Sequence, residues 1–125
     1  MSPLQIFYVE DNDDLRETIG LLLEADDRVV TSFATAEEAL EAFERAPCDV
    51  VVTDVSLPTM SGVDLARAVL AHQPGTWVVL SSGYAITRGI ETLGPTVRSL
   101  PKPFEIEEMD TLLAEIAGAI AQRRA

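Results

Sequence analysis

The chain is short of cysteine, having only Cys48, so no disulfide can form within it, and this usage suits a reducing compartment. Basic side chains are scarce as well: nine Lys and Arg stand against 21 Asp and Glu, a formal net charge of −12. So acidic a chain repels nucleic-acid phosphates and anionic lipid headgroups, which argues against direct binding to either. No apolar run approaches the ~18–20 residues of a membrane-spanning helix. The opening MSPLQIFYVEDN lacks a charged stretch leading into an apolar one, so no signal peptide is expected. Linkers, low-complexity tracts and internal repeats are missing too. These absences lead to the expectation of one cytoplasmic domain over residues 1–125 with no attached output module. Met1, just ahead of the first apolar run, leans toward a free-standing domain, with a domain cut from a larger protein left open.

What the chain does have is apolar residues, 47% of its 125, enough for one sizeable core and too many for a disordered chain. Four runs predict strands, LQIFYV (4–9), RVVTSF (28–33), DVVVTD (49–54) and WVVLS (77–81), and a weaker fifth is TVRSL (96–100). Three of them are nearly continuous in Val, Ile, Leu and Phe, as in strands covered on both faces. Helical periodicity fills the gaps. Over 13–25, Leu15, Ile19, Leu22 and Leu23 form one apolar stripe expected to face inward. Over 35–46, Thr35 and Glu38 make a capping box, with Ala39, Leu40 and Phe43 on the inner face. Ser61 caps a third helix that carries Leu65, Ala66, Val69 and Leu70 inward and stops before Gln73 and Pro74. A short fourth helix is expected around 86–93. A last one, over about 105–123, turns Ile106, Met109, Leu112, Leu113, Ile116 and Ile120 inward. Strand and helix alternate throughout, so the fold class is α/β, an open, doubly wound parallel sheet with right-handed crossovers.

In such a sheet, ligands bind outside the carboxyl ends of the strands. Strand one runs out into Glu10 and Asp11, strand three into Asp54, strand four into Ser81, Ser82 and Gly83, and strand five into Lys102 between two prolines. Carboxylates brought to ~4 Å repel by ~4 kcal/mol per pair at an effective dielectric of about 20. Either protons neutralise some of them, or their oxygens share a hard divalent cation. Mg²⁺ suits the second arrangement, because it takes one or two carboxylates and keeps positions for water or a phosphate oxygen. Lys102 adds a positive charge able to meet an anion. Plainer roles fit other residues. Asp13 and Asp14 suit a helix N-terminus, Cys48 a packing position, His72 a solvated helix end, Trp77 the core or its rim, and the final Gln-Arg-Arg a helix C-terminus.

Four stretches, VEDN (9–12), TDVSLPTMSG (53–62), SSGY (81–84) and PKPF (101–104), together resemble the response-regulator receiver domains of two-component signalling, in the family's order and over essentially the whole chain. The resemblance implies a flavodoxin-like (βα)5 fold with a five-stranded sheet of order 2-1-3-4-5. It implies that Asp54 is the phosphoacceptor, taking a phosphoryl group from a phosphohistidine of a histidine kinase or histidine phosphotransfer protein. Mg²⁺ would be held by Glu10, Asp11, Asp54 and the backbone carbonyl of Ser56. Ser82 and Lys102 would meet the phosphoryl oxygens, and Lys102–Pro103 would be a cis peptide. Leu57, Pro58 and Gly62 match the turn from the third strand into the third helix. The implied role is a signalling phosphoacceptor rather than an enzyme, with phosphorylation switching its affinity for a downstream protein.

The match has departures. The family usually carries Tyr or Phe three residues before its lysine, where this chain has Ser99. The spacing from Ser82 to Lys102 is slightly short, and Gly94-Pro95 replaces the usual Gly-Ala. An altered output surface around the fourth helix and fifth strand is therefore expected. Tyr84 is a candidate gate over Asp54 or a partner contact. Two other readings stand beside the first. One is a receiver-like binding module that does not use phosphate. The other is a small Mg²⁺-dependent phosphatase with an Asp nucleophile, which would want a second acid where this chain has Ser56.

Overall fold

Valine-rich runs fold into five parallel strands hydrogen-bonded in the order β2-β1-β3-β4-β5. The computed structural model describes residues 3–82 and 93–124. Along the chain come β1 (Leu4–Val9), α1 (Asp13–Leu23), β2 (Arg28–Phe33), α2 (Ala36–Arg45), β3 (Val50–Asp54), α3 (Gly62–His72), β4 (Trp77–Ser82), β5 (Val97–Pro101) and α4 (Ile106–Arg124). The predicted strands and sheet order hold. The helix expected around 86–93 falls, but for its last residue, outside the described residues, as do Gly83 and Tyr84.

The central strands β3 and β4 are buried on both faces, which explains their unbroken apolar runs, while the edge strands β2 and β5 are partly exposed and carry polar residues. On one face Val9, Val51, Val78 and Leu80 meet Ala39 and Phe43 of α2 and Leu65 and Val69 of α3. On the other, Ile6, Val50, Val52, Val79 and Leu100 meet Leu23 of α1 and Met109, Leu113 and Ile116 of α4. Each of these side chains contributes roughly 1.5–3 kcal/mol when fully removed from water. Arg28 ties the edge strand β2 to α4, donating to Asp110 Oδ1 at 2.8 Å. Trp77 is core, with the Arg98 guanidinium 5.5 Å from its ring centroid. No helix among the described residues is long and apolar enough to cross a membrane.

Caps set the helix starts as read from the sequence. Thr35 accepts from Glu38 N–H at 3.1 Å, and Ser61 accepts from Asp64 N–H at 3.1 Å. The α1 stripe does not follow the reading. Leu15 and Leu22 are 44% and 50% exposed, while Gly20 and Leu23 are buried and Ile19 packs only in part. The helix is turned so that Gly20 lies against β2, where a Cβ would sit 3.0 Å from Ser32 Oγ. Glycine carries no hydropathy signal, so this close approach left no trace in the apolar pattern.

Cys48 is buried, and its thiol donates to the Val50 carbonyl at 3.3 Å. Burial pushes the thiol up to about 12, with Asp49 adding to the shift. The thiolate is the reactive form. Alkylation by iodoacetamide at pH 8 is therefore expected to be far slower in the native protein than in urea. Equal rates, followed by mass, would show that the packing role is wrong.

Candidate functional site

The second face of the sheet continues past the strand ends into charge. Tyr8, Val52 and Leu100 lie in its core, and the residues two positions further along each chain segment are Glu10, Asp54 and Lys102. Lys102 is the chain's only lysine. Its Nζ donates to Glu10 Oε1 at 3.1 Å and to Asp54 Oδ2 at 3.2 Å, so one ammonium group bridges two carboxylates. Glu10 is 3% exposed, which makes it an unusually deep carboxylate. Its second oxygen accepts from Asn12 N–H at 3.0 Å, and its own N–H donates to the Phe33 carbonyl at 3.1 Å. Without such partners a buried carboxylate would lose several kcal/mol of hydration uncompensated.

Burial pulls the Lys102 ammonium downward, but the hydrogen bonds and charges of Glu10 and Asp54 outweigh it and hold the group above the usual lysine value. Tyr8, beneath the site, is pushed up first by burial and then by the negative charges of Glu10 and Asp54. Both residues report a strongly negative field at this rim.

Asp11 stands exposed beside the pair, and one carboxylate oxygen from each of Glu10, Asp11 and Asp54 lies within 4.8 Å of the others. Mg²⁺ binds oxygen at ~2.0–2.1 Å in a near-octahedral shell, where neighbouring ligands lie ~2.9 Å and opposite ones ~4.2 Å apart, so the three side chains must draw inward to share one ion. Three carboxylates and one ammonium also leave a local formal charge of −2, which a divalent ion cancels. The donor set fits Mg²⁺ in both element and charge.

The remaining site residues hold the turn. Asp54 Oδ1 accepts from Ser56 N–H at 3.3 Å, which keeps Ser56 against the carboxylate. Ser82 ends β4, and its carbonyl accepts from Lys102 N–H at 2.8 Å, fixing the lysine beside it. Ser81, the other hydroxyl on this strand, pairs with Asp54 in the β3–β4 register, and its buried Oγ has no partner. The Lys102–Pro103 peptide is cis, as the resemblance implies. The structure thus brings Glu10, Asp11, Asp54, Ser56, Ser82 and Lys102 to one rim, while Tyr84 is outside the described residues. Sequence reasoning missed Arg16, which donates to the Glu10 carbonyl at 3.0 Å. An arginine one turn into a helix gives no motif to find.

Two residues after Asp54 carry opposite backbone signals. A Cβ on Gly62 would overlap the Asp54 carbonyl oxygen, and Gly62 N–H donates to the Val55 carbonyl at 3.0 Å. Thr59, a β-branched residue, sits at φ 67° between the Pro58 carbonyl and the Met60 N–H that it accepts at 2.8 Å, a strained three-residue turn. Gly62→Ala is expected to cost about 2–4 kcal/mol in urea unfolding, and Thr59→Gly to stabilise by about 1 kcal/mol. Effects of the same sign would refute this account of the turn.

Comparison with known proteins agrees with this fold. The response regulator receiver domain family model matches residues 6–114. The chain belongs to that family: it is a receiver domain of two-component signalling. Among curated relatives it is 34% identical over 79 residues to the C4-dicarboxylate transport transcriptional regulatory protein DctD of Rhizobium meliloti, covering 63% of this chain and 17% of that protein. It is 27% identical over 107 residues to the response regulator receiver protein CpdR of Brucella abortus, covering 84% of this chain and 89% of that one. The chain therefore spans less than a fifth of the first and most of the second. In fold it is similar to the chemotaxis response regulator CheY4 of Vibrio cholerae, with a TM-score of 0.82 at 23% identity over 92% of this chain and 99% of that one.

Proposed function

We propose that residues 1–125 form one cytoplasmic receiver domain in which Asp54 accepts a phosphoryl group from a phosphohistidine, on a histidine kinase or histidine phosphotransfer protein. In this reading an Asp54 carboxylate oxygen forms a bond to phosphorus as the histidine N–P bond breaks, and the imidazole leaves with the electron pair. Glu10, Asp11, Asp54 and the Ser56 carbonyl would hold Mg²⁺, which when bound would offset charge on the transferring oxygens. Lys102 shifts from the Asp54 carboxylate to the incoming phosphoryl oxygens, and the Ser82 hydroxyl donates to one of them. The aspartyl phosphate then changes affinity for a downstream protein. The observation that carries this reading is Asp54 at the end of a central strand, 3.2 Å from Lys102 Nζ and facing Glu10 and Asp11.

The exposed leucines of α1 support a macromolecular donor. Attack in line on phosphorus requires the donor to lie over the rim, and Leu15 lies in the first turn of the helix that leaves it. Leu15 and Leu22, both exposed and seven residues apart on the helix, give that donor an apolar patch. Incubation with Mg²⁺ and acetyl phosphate is expected to add the mass of one phosphoryl group per chain. Leu15→Glu with Leu22→Glu is expected to leave that reaction within twofold while slowing transfer from a phosphorylated histidine domain at least tenfold. Absence of the adduct with the wild type, or steady turnover of phosphate esters in its place, overturns the reading.

A further inference from the structure

Glu10 and Asp11 lie on the short link between β1 and α1, and like charges on so short a link push each other apart. The link is tied at several points. Asn12 N–H donates to Glu10 Oε2 at 3.0 Å, while Asn12 Oδ1 accepts from Leu15 N–H at 3.0 Å and caps the helix. Arg16 closes the loop. Its Nη1 donates to the Glu10 backbone carbonyl at 3.0 Å and its Nη2 to Asp13 Oδ1 at 2.6 Å. One planar guanidinium therefore holds the end of the strand to the first turn of the helix through a rigid fork of donors, which the compact ammonium of a lysine lacks.

We infer that Arg16 is a positioning residue for the acid pair, setting the affinity of the rim for Mg²⁺ by clasping the backbone that carries Glu10 and Asp11. The inference rests on the proposed reading of the rim as a Mg²⁺ site. The two contacts are not equal. Asp13 is 86% exposed, so its ion pair is screened by water, whereas Arg16 is 23% exposed and its bond to the Glu10 carbonyl is partly buried. The carbonyl contact is the one that matters.

Charge and clasp make opposite predictions. As a positive charge near a cation, Arg16 repels Mg²⁺, and its loss would tighten binding. As a clasp it holds the ligands together, and its loss weakens binding by ~10-fold or more, as for partners that orient metal ligands elsewhere.

The test is calorimetric Mg²⁺ titration of the full chain, with the amide resonances of Glu10, Asp11 and Asn12 followed in parallel. Arg16→Ala is expected to raise the Kd ~10-fold, Arg16→Lys to raise it at least as much because it loses the grip and keeps the repelling charge, and Asp13→Ala to stay within about twofold. Thermal melting without Mg²⁺ checks that each variant folds. Should Arg16→Ala not fold, Arg16→Lys carries the test, because it keeps the charge and loses the grip. Wild-type binding with an unchanged or lower Kd in the Arg16 variants overturns the clasp alone. No Mg²⁺ binding by the wild type overturns the clasp together with the reading beneath it.

Discussion

Asp54→Asn is expected to abolish the acetyl phosphate adduct and the response to beryllofluoride while leaving the protein folded. Only a carboxylate oxygen has the nucleophilicity to take the phosphoryl group, and the amide of Asn does not. The structure explains why the substitution is tolerated. It removes one of three crowded carboxylates, relieving repulsion with Glu10 and Asp11, and weakens one of the two contacts of Lys102, whose ammonium then meets an uncharged amide oxygen. The two effects oppose each other, so the midpoint of urea unfolding is expected to move by no more than about 1 kcal/mol equivalent. Adduct formation in Asp54→Asn, seen as the same mass gain, would mean that another residue is the acceptor. Glu10 and Asp11 are the nearest alternatives, and peptide mapping would identify them.

Lys102→Ala is expected to damage both chemistry and stability. With the ammonium gone, the carboxylate of the 3%-exposed Glu10 keeps only the Asn12 N–H as a partner among the described residues. Breaking a fully buried pair costs roughly 3–5 kcal/mol; with Lys102 itself 29% exposed, about 2–3 kcal/mol is expected. Adding Glu10→Gln should recover part of that loss, because the uncompensated charge goes with it. Phosphoryl uptake from acetyl phosphate should fall ~10²–10³-fold, the effect of removing one donor aimed at developing charge. A stability change near zero would mean that water, not Lys102, balances Glu10.

Alkaline pH gives the same information without a substitution. Lys102 is held above its ordinary value of 10.5, and Tyr8 and Cys48 above 10.0 and 9.0. A group raised on folding stabilises the native state below its unfolded value and loses that contribution as pH climbs through the folded one. Urea midpoints should therefore hold steady to about pH 9 and fall beyond it. The Lys102→Ala protein should fall less steeply above pH 10.5, because one of the three groups is absent.

The strands were legible because burial on both faces demands unbroken apolar runs, and Val50 to Val52 read as such. Thr35 and Ser61 were legible because a cap needs an oxygen at one defined offset from the helix. Asp54 and Lys102 were legible because strand ends are where a doubly wound sheet gathers polar residues. Features that depend on the third dimension were not legible. Gly20 admits α1 close to β2 and so rotates Leu15 and Leu22 outward, and no hydropathy scale credits a glycine with packing. Arg16 reads as an ordinary polar helix residue until the chain turns and brings its guanidinium to the Glu10 carbonyl. The strain at Thr59 is equally silent, since threonine is common in loops of ordinary geometry.

The placement of α4 bears on how this chain is made. Met109, Leu113 and Ile116 seal the same sheet face that Ile6, Val50 and Val79 present, and Asp110 grips Arg28 from the edge strand. A ribosome releases those sealing residues after all five strands. Until they emerge, α1 alone covers that half of the apolar interior, and a nascent polypeptide caught at that moment is the species a chaperone would hold.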